Sequence, residues 1–304
     1  MLEEKGENIM KKILIVGGSG FIGRSLGEYL KKKKIYNIYM PSSKELNAVD
    51  EKQVENYLKR NFFDVIIHAA VHNPVTNIER KSQNMLEYSL RMFYNFERLQ
   101  NYYGKMFYMG SGAEYGKQGD IIDYKEEKIG ERIPDNDYGL MKYIINDSIR
   151  KSINIYNIRL FGIYGRYEEW KYKFISNICC KAIKNVPITI RQNVYFDYLY
   201  INDFCRIMEW FIENSPKYRD YNVVTGKKID LFSLAEKVLE ISNKKLPIYV
   251  CKEGLANEYS ASNERLMKEI KNFNYTDVDI AIGELYDWYL IHESELDIYP
   301  LLYQ

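Results

Sequence analysis

The sequence predicts an α/β protein, a doubly wound parallel sheet with a smaller C-terminal α/β domain. Three observations carry this reading. Short apolar runs alternate with helix-period segments through the first half of the 304 residues. The first run, Ile13-Leu14-Ile15-Val16, passes straight into a glycine turn, Gly17-Gly18-Ser19-Gly20-Phe21-Ile22-Gly23. The second half is less regular, with no internal repeat. Strands separated by helices pair in parallel through right-handed crossovers.

The elements follow in order. Residues 13–16 are apolar and mostly β-branched, as in a buried strand, and a helix begins near Phe21. A weaker strand spans Ile35 to Met40 and stops at Pro41. Asp50 is placed to cap a helix from Glu51 to Arg60. Asp64–His68 reads as a third strand, Lys81 to Tyr103 as a long helix stopped by Gly104, and Lys105–Met109 as a fourth strand. A helix from Tyr138 leads to a fifth strand, Ile155 to Phe161. Helices are expected around 203–213, 231–242 and 278–290, with a strand at Tyr221–Val224. Ligands of such sheets sit beyond the carboxyl ends of the strands. The segments to watch are therefore Gly17–Gly23, Pro41–Lys44, Ala69–Asn73, Gly110–Ala113 and Gly162–Arg166. The expected division is 9–167 with 196–225 for the first domain, and 168–195 with 226–300 for the second.

Bulk composition excludes several classes. The chain has 43 basic and 42 acidic residues and a net charge of +1, so no global field favours nucleic acid. Lys31–Lys34 reads as a solvated helix end. No apolar stretch reaches the roughly 18 residues of a membrane helix, and Met1–Lys5 is charged rather than a signal segment. Cys179, Cys180, Cys205 and Cys251 lack metal-site spacing and read as buried, reduced thiols, which suits the cytoplasm. No metal is expected.

Chemistry enters at three places. The glycines at 17, 20 and 23 let the backbone approach a pyrophosphate at a helix N-terminus, which offers free N–H groups and a positive dipole end. Tyr138-Gly139-Leu140-Met141-Lys142 puts a phenol and an ammonium on one helix face. Lys142 is expected to lower the pKa of Tyr138, suiting it to pass a proton to or from an alcohol or sugar oxygen. Ser111, at the end of the fourth strand, is placed to bond the same oxygen. The pieces taken singly also read as a glycine-rich turn, a surface Tyr/Lys pair and a turn serine. They nonetheless occur in order, each at a strand end or helix start.

The segments GGSGFIG (17–23), HAA (68–70), GSGAEYG (110–116), YGLMK (138–142), RLFGIYG (159–165), FDYLYINDF (196–204), YNVVTG (221–226) and EYSASNERLMKEI (258–270) together make the chain resemble the extended short-chain dehydrogenase/reductases that act on nucleotide sugars. The resemblance covers nearly the whole chain. It implies a Rossmann domain, a catalytic set of Ser111, Tyr138 and Lys142, a cytoplasmic homodimer and a nucleotide-sugar substrate. Tyr138 would be the acid/base, and Lys142 would also hold the nicotinamide ribose. The cofactor set would be Gly17, Gly20, Phe21, Ile22, Gly23, Ser42, Ser43, Lys44, Asp50, Ala69, Ala70 and Lys142. The substrate set would be His72, Ser111, Gly112, Ala113, Arg166, Arg191 and Arg265. His68 reads as strand-end packing.

Departures from the family pattern narrow the reaction. The 4,6-dehydratases carry an Asp-Glu pair where this chain has Gly112 and Ala113, which transfer no protons; Glu114, one place on, is expected to point elsewhere. GDP-fucose synthases place a cysteine at the position of Ala113, and their helper histidine falls near Lys171. Simple hydride transfer at one carbon remains: 4-keto reduction or 4-epimerisation. No acid ends the second strand, where NAD-preferring relatives bind the ribose 2′-OH. Ser42, Ser43 and Lys44, with Arg24 as a further candidate, suit a 2′-phosphate. The reading is thus an NADPH-dependent 4-ketoreductase feeding surface polysaccharide synthesis. Its rivals are an NAD-dependent 4-epimerase and a non-catalytic NADP-sensing scaffold. The arginine of the usual Arg-Asp-Phe segment is Phe196 here, so Arg166, Arg191 or Arg265 would have to meet the diphosphate.

Overall fold

A computed structural model describes residues 10–72 and 84–302. Met1–Lys5, Asn73 and the expected helix start at Lys81 lie outside the described residues. The chain forms two compact units: one runs to Tyr108 and takes in Ser152–Tyr156, and the other comprises Met109–Lys151 and Asn157 onward.

The first unit holds β1 (Lys11–Val16), α1 (Phe21–Lys33), β2 (Tyr36–Tyr39), α2 (Glu51–Arg60), β3 (Phe63–His68), α3 (Met85–Glu97) and the start of β4 (Tyr103–Ser111). Ile13, Leu14 and Ile15 are fully buried. The three lysines in the last turn of α1 complement its dipole, and Lys34 closes the helix in the left-handed conformation. Asp50 caps α2, its carboxylate accepting the Gln53 N–H at 2.9 Å.

The long helix is shorter than the sequence suggests. It ends at Glu97, a 3₁₀ turn spans Gln100–Tyr102, and β4 begins at Tyr103. The Asn154 amide donates to the carbonyls of Gln100, Tyr103 and Gly104, holding them out of a helical ladder. Gly104 therefore stops no helix. It sits in β4, where a Cβ would lie 2.5 Å from the Asp64 carbonyl oxygen.

Beyond β4 follow β5 (Ile121–Tyr124), α4 (Asp137–Lys151), β6 (Ile155–Leu160), β7 (Gly162–Tyr164), α5 (Phe174–Ile183), β8 (Ile188–Asn193), β9 (Tyr195–Tyr200), α6 (Ile201–Glu213), β10 (Asp220–Val223), β11 (Lys228–Asp230), α7 (Leu231–Ile241), β12 (Ile248–Leu255), β13 (Tyr259–Ala261), α8 (Glu264–Glu269), α9 (Val278–Ile291) and α10 (Tyr299–Leu302). The six-stranded sheet has the order β10-β6-β4-β3-β1-β2, with parallel pairing. A second sheet runs β11-β9-β13-β5, with β7 also on β9, and β12 pairs β8. The helices α5, α7 and α9 pack on one another, and α7 on β8. All four cysteines are free. Three are buried, but Cys251 is exposed on β12 rather than in the core. Among the described residues no helix is long and apolar enough to cross a membrane.

Candidate active site

In the first unit the strand order reverses between β1 and β3, the switch point at which such sheets bind ligands. Val16 lies opposite His68, so the glycine turn and Ala69-Ala70 leave neighbouring strand ends. Gly17 has φ +85°, and a Cβ there would lie 2.7 Å from Ala70 N; one on Gly23 would lie 2.3 Å from the Gly17 carbonyl oxygen. Only glycine fits both positions. Gly20 caps α1 with no side chain, and no acidic residue stands in the first turn, where Phe21 and Ile22 are half-buried. The first-turn N–H groups are thus left to an anion, which fits the pyrophosphate of a dinucleotide.

The loop after β2 differs from expectation in one respect. Ser42, Ser43 and Lys44 are exposed, but Glu45 folds back and accepts both the N–H and the hydroxyl of Ser42 at 2.8 Å. Those bonds hold its carboxyl below the usual range, so this loop does carry an anion. Asp50 is engaged in capping α2, and Arg24 pairs with Glu28 at 3.2 Å. His68 is 1% exposed, with Nε2 3.3 Å from the Met92 carbonyl and its ring edge-on to Phe96, a packing role. His72 is half-buried; its N–H donates to Ser89 and its ring meets Tyr88.

The second unit assembles the hydroxyl and amine groups. Ser111 is the last residue of β4 and caps a 3₁₀ turn, Gly112–Tyr115. Its hydroxyl accepts the Ala113 N–H at 3.2 Å, and its own N–H donates to Glu114 Oε1 at 3.0 Å. Asn136 closes the first turn of α4 by accepting the Gly139 N–H at 2.9 Å. Gly139 lets that turn come close: a Cβ there would sit 2.9 Å from the Ala113 carbonyl oxygen. The adjacent Tyr138 is thereby brought near Ser111, which lowers the pKa of its phenol against the effect of burial. Tyr138 keeps 37% of its surface exposed, enough to meet a ligand.

Lys142 is 3% exposed, and Nζ donates to the Met109 carbonyl at 2.6 Å. Burial lowers its pKa to about 8, against the opposing pull of Glu114. Nζ lies 5.7 Å from the Tyr138 ring centroid. The expected lowering of the Tyr138 pKa does not occur: burial raises it, Ser111 pulls it back, and Glu114 adds to the rise. Desolvation outweighs an ammonium at that range.

Beneath these groups lies a buried ionic cluster not anticipated from the sequence. Glu114 and Arg159 are both 0% exposed and pair at 2.7 Å. Arg159 also donates to Tyr115, Asn222, Asn146 and Asp220 at 3.0–3.1 Å. Asn157 donates to Glu114 Oε2 at 2.9 Å. Glu114 is thus engaged within this cluster and couples Arg159 to the Ser111 backbone. An arginine inside a buried strand was the available signal.

Tyr259 on β13 is the other residue missed. It is 5% exposed, and its ring lies 4.6 Å from that of Phe161 and 5.5 Å from that of Phe196. Burial raises the pKa of this phenol, and Ser111 pulls it back. Phe196, at the usual arginine position, thus packs on Tyr259. Of the candidate diphosphate cations, Arg265 bonds Asp220 and Glu127, Arg191 is exposed on β8, and Arg166 is half-buried beside Tyr167. Among the described residues no metal-binding group of His, Cys, Asp or Glu forms.

Residues 13–224 match the model of the NAD dependent epimerase/dehydratase family. The chain belongs to this family. It is 25% identical over 281 residues to a dTDP-D-glucose 4,6-dehydratase from Dictyostelium discoideum, covering 79% of this chain and 64% of that protein, so it spans just under two thirds of that relative's length. Among solved structures it is similar to a GDP-L-fucose synthetase from Naegleria fowleri bound to NADP (TM-score 0.81, 17% identity, 93% and 95% of the two chains). It is also similar to a GDP-D-glycero-L-gluco-heptose synthase from Campylobacter jejuni in the presence of NADPH (TM-score 0.80, 16% identity, 93% and 99%). At these identities the structural likeness concerns the fold. The family is described by NAD and these two structures by NADP or NADPH, so the comparisons do not fix the cofactor.

Proposed function

We propose that the protein is a nucleotide-sugar 4-ketoreductase that uses NADPH to reduce a nucleotide-activated 4-keto-6-deoxy sugar, in surface polysaccharide synthesis. The observation that carries it is the space at Gly112. A Cβ there would lie 2.6 Å from the Phe161 ring and 2.6 Å from the Tyr259 hydroxyl. The position at which the related dehydratases bear an acid is filled by two aromatic side chains, and Ala113 beside it is 3% exposed. Elimination lacks its acid and base, and the cysteine step of the fucose synthases lacks its thiol. What remains is a hydroxyl pair and a lysine, the equipment of carbonyl–alcohol interconversion.

The dihydronicotinamide, when bound, supplies the hydride. Tyr138 gives its phenolic proton to the C4 oxygen, so that ketone, hydride and proton become the alcohol. Ser111 donates to the same oxygen and holds it in line. Lys142, held by the Met109 carbonyl, places a positive charge beside the phenolate left behind. Gly17, Gly23 and the open end of α1 fit the pyrophosphate, while Ser43, Lys44 and Arg24 suit a 2′-phosphate.

A 4-epimerase using NAD is the second reading, favoured by the Glu45 carboxylate held at Ser42, where a ribose 2′-OH would donate to it. A panel of 4-keto nucleotide sugars with NADPH oxidation as readout tests the first. Turnover with net NADPH loss supports it. Tightly bound NAD after purification, epimerised product and no net oxidation support the second.

A further inference from the structure

In the loop after β2 the donors that suit an anion are already in use. The strand β2 lies beside β1, with Tyr39 opposite Leu14. Met40 packs against the glycine turn: a Cβ on Gly18 would lie 2.9 Å from Met40 Cβ. The exposed segment Ser42–Glu45 therefore leaves the sheet beside the turn that fits the dinucleotide pyrophosphate. Within it, Ser42 aims two donors at one atom. Its N–H and its hydroxyl both reach Glu45 Oε2 at 2.8 Å. Two donors converging on one anionic oxygen form an arrangement that also suits a phosphate oxygen. The turn itself does not depend on the carboxylate. Glu45 and Leu46 donate their N–H groups to the Ser42 carbonyl at 3.0 and 2.9 Å, and Leu46 is buried. The charges of Lys44 and Glu45 cancel, so the turn presents no net positive charge.

We propose that Glu45 is an internal competitor for the 2′-phosphate of the cofactor: its carboxylate occupies both Ser42 donors, and a 2′-phosphate takes them only when that carboxylate swings out. This rests on the proposed use of the loop for the adenosine ribose, not on the sugar reaction. Glu45 is then a specificity-determining residue. A ribose 2′-hydroxyl has a proton to donate to the carboxylate and leaves the Ser42 contacts in place. A 2′-phosphate dianion has none, is repelled by the carboxylate and needs the donors it holds. Without the carboxylate the turn would carry the charge of Lys44 alone, with the Ser42 N–H and hydroxyl both open to phosphate oxygens.

The test is calorimetric titration of the full chain with NADP⁺ and with NAD⁺, comparing the wild type with Glu45→Gln and Glu45→Ala. The readout is the ratio of the two dissociation constants, NAD⁺ over NADP⁺. Both variants are expected to raise that ratio by about tenfold, the order of one like-charge contact removed near a protein surface. Adding Ser42→Ala to Glu45→Ala is expected to reverse part of the gain, because the freed hydroxyl is what the phosphate acquires. A ratio that stays constant or falls in both Glu45 variants overturns the proposal, and so does a gain that Ser42→Ala leaves intact. Glu45→Gln keeps an acceptor for Ser42 and decides the matter should Glu45→Ala fail to fold. The wild-type preference answers a separate question: tighter NAD⁺ than NADP⁺ binding removes the NADPH reading, while the role of Glu45 is still read from the change in the ratio. Binding of neither nucleotide removes the site and the proposal with it.

Discussion

Replacing Glu114 with glutamine should destabilise the protein by roughly 3–5 kcal/mol, the cost of leaving one member of a buried ion pair without its partner. Arg159 and Glu114 are both fully buried, 2.7 Å apart. The two carboxylate oxygens hold separate jobs: Oε1 accepts the Ser111 N–H, and Oε2 accepts Arg159 Nε and Asn157 Nδ2. A glutamine side chain has one acceptor oxygen. Either orientation turns its NH₂ toward a donor, so Ser111 or Arg159 is left unsatisfied. Asp220 still faces Arg159 at 3.1 Å and recovers part of the loss, which argues for the lower end of the range. With a urea slope of about 2–3 kcal/mol per molar, the unfolding midpoint should fall by roughly 1 M or more. The control is Glu87→Gln, which breaks an i,i+4 pair whose side chains are 61% and 51% exposed and should cost no more than about 0.5 kcal/mol. A Glu114→Gln midpoint that matches the Glu87→Gln midpoint would refute the reading of this cluster as the anchor of Ser111.

Three further outcomes follow from the same geometry. Tyr138→Phe should keep dinucleotide binding and cut turnover by roughly 10²–10⁴, the usual share of a general acid; dinucleotide fluorescence and a rate assay measure both, and unchanged turnover removes Tyr138 from the mechanism. Lys142 has its folded pKa lowered to about 8 from 10.5, so between those values the unfolded chain holds more protons and stability rises with pH, by up to about 3 kcal/mol. Urea midpoints of the wild type minus those of Lys142→Met should therefore increase from pH 8 to pH 10, and a flat difference contradicts the burial account. Gly112→Asp, which restores a dehydratase-like acid, should lose folding stability rather than gain elimination activity, because its Cβ would enter the space of Phe161 and Tyr259; thermal melts and a dehydratase assay decide it.

What the sequence made legible was what short-range physics determines. Gly17 and Gly23 are demanded by backbone approaches within one turn and its neighbouring strand, and Asp50 caps α2 from three residues away, so both stood out in the order of residues. Gly104 resembles a helix stop by the same local logic and is not one, because its cause is the Asp64 carbonyl on another strand. The active-site residue types were legible by spacing, but their electrostatics were not: the sequence puts Lys142 four residues from Tyr138, while only the fold shows that burial raises the phenol and lowers the amine. Arg159 and Glu114 are 45 residues apart, and Tyr259 reaches the space at Gly112 from a three-residue strand with no periodicity of its own. Of the second-half strands Tyr221–Val224 was legible and is β10, whereas pieces as short as β7, β11 and β13 were missed because they take their form from the sheet they join. The glycine at 112 unites both kinds of information. Its inability to transfer a proton is plain in the sequence, yet the reason no acid can stand there is the pair of rings that the chain brings in from β13 and the end of β6.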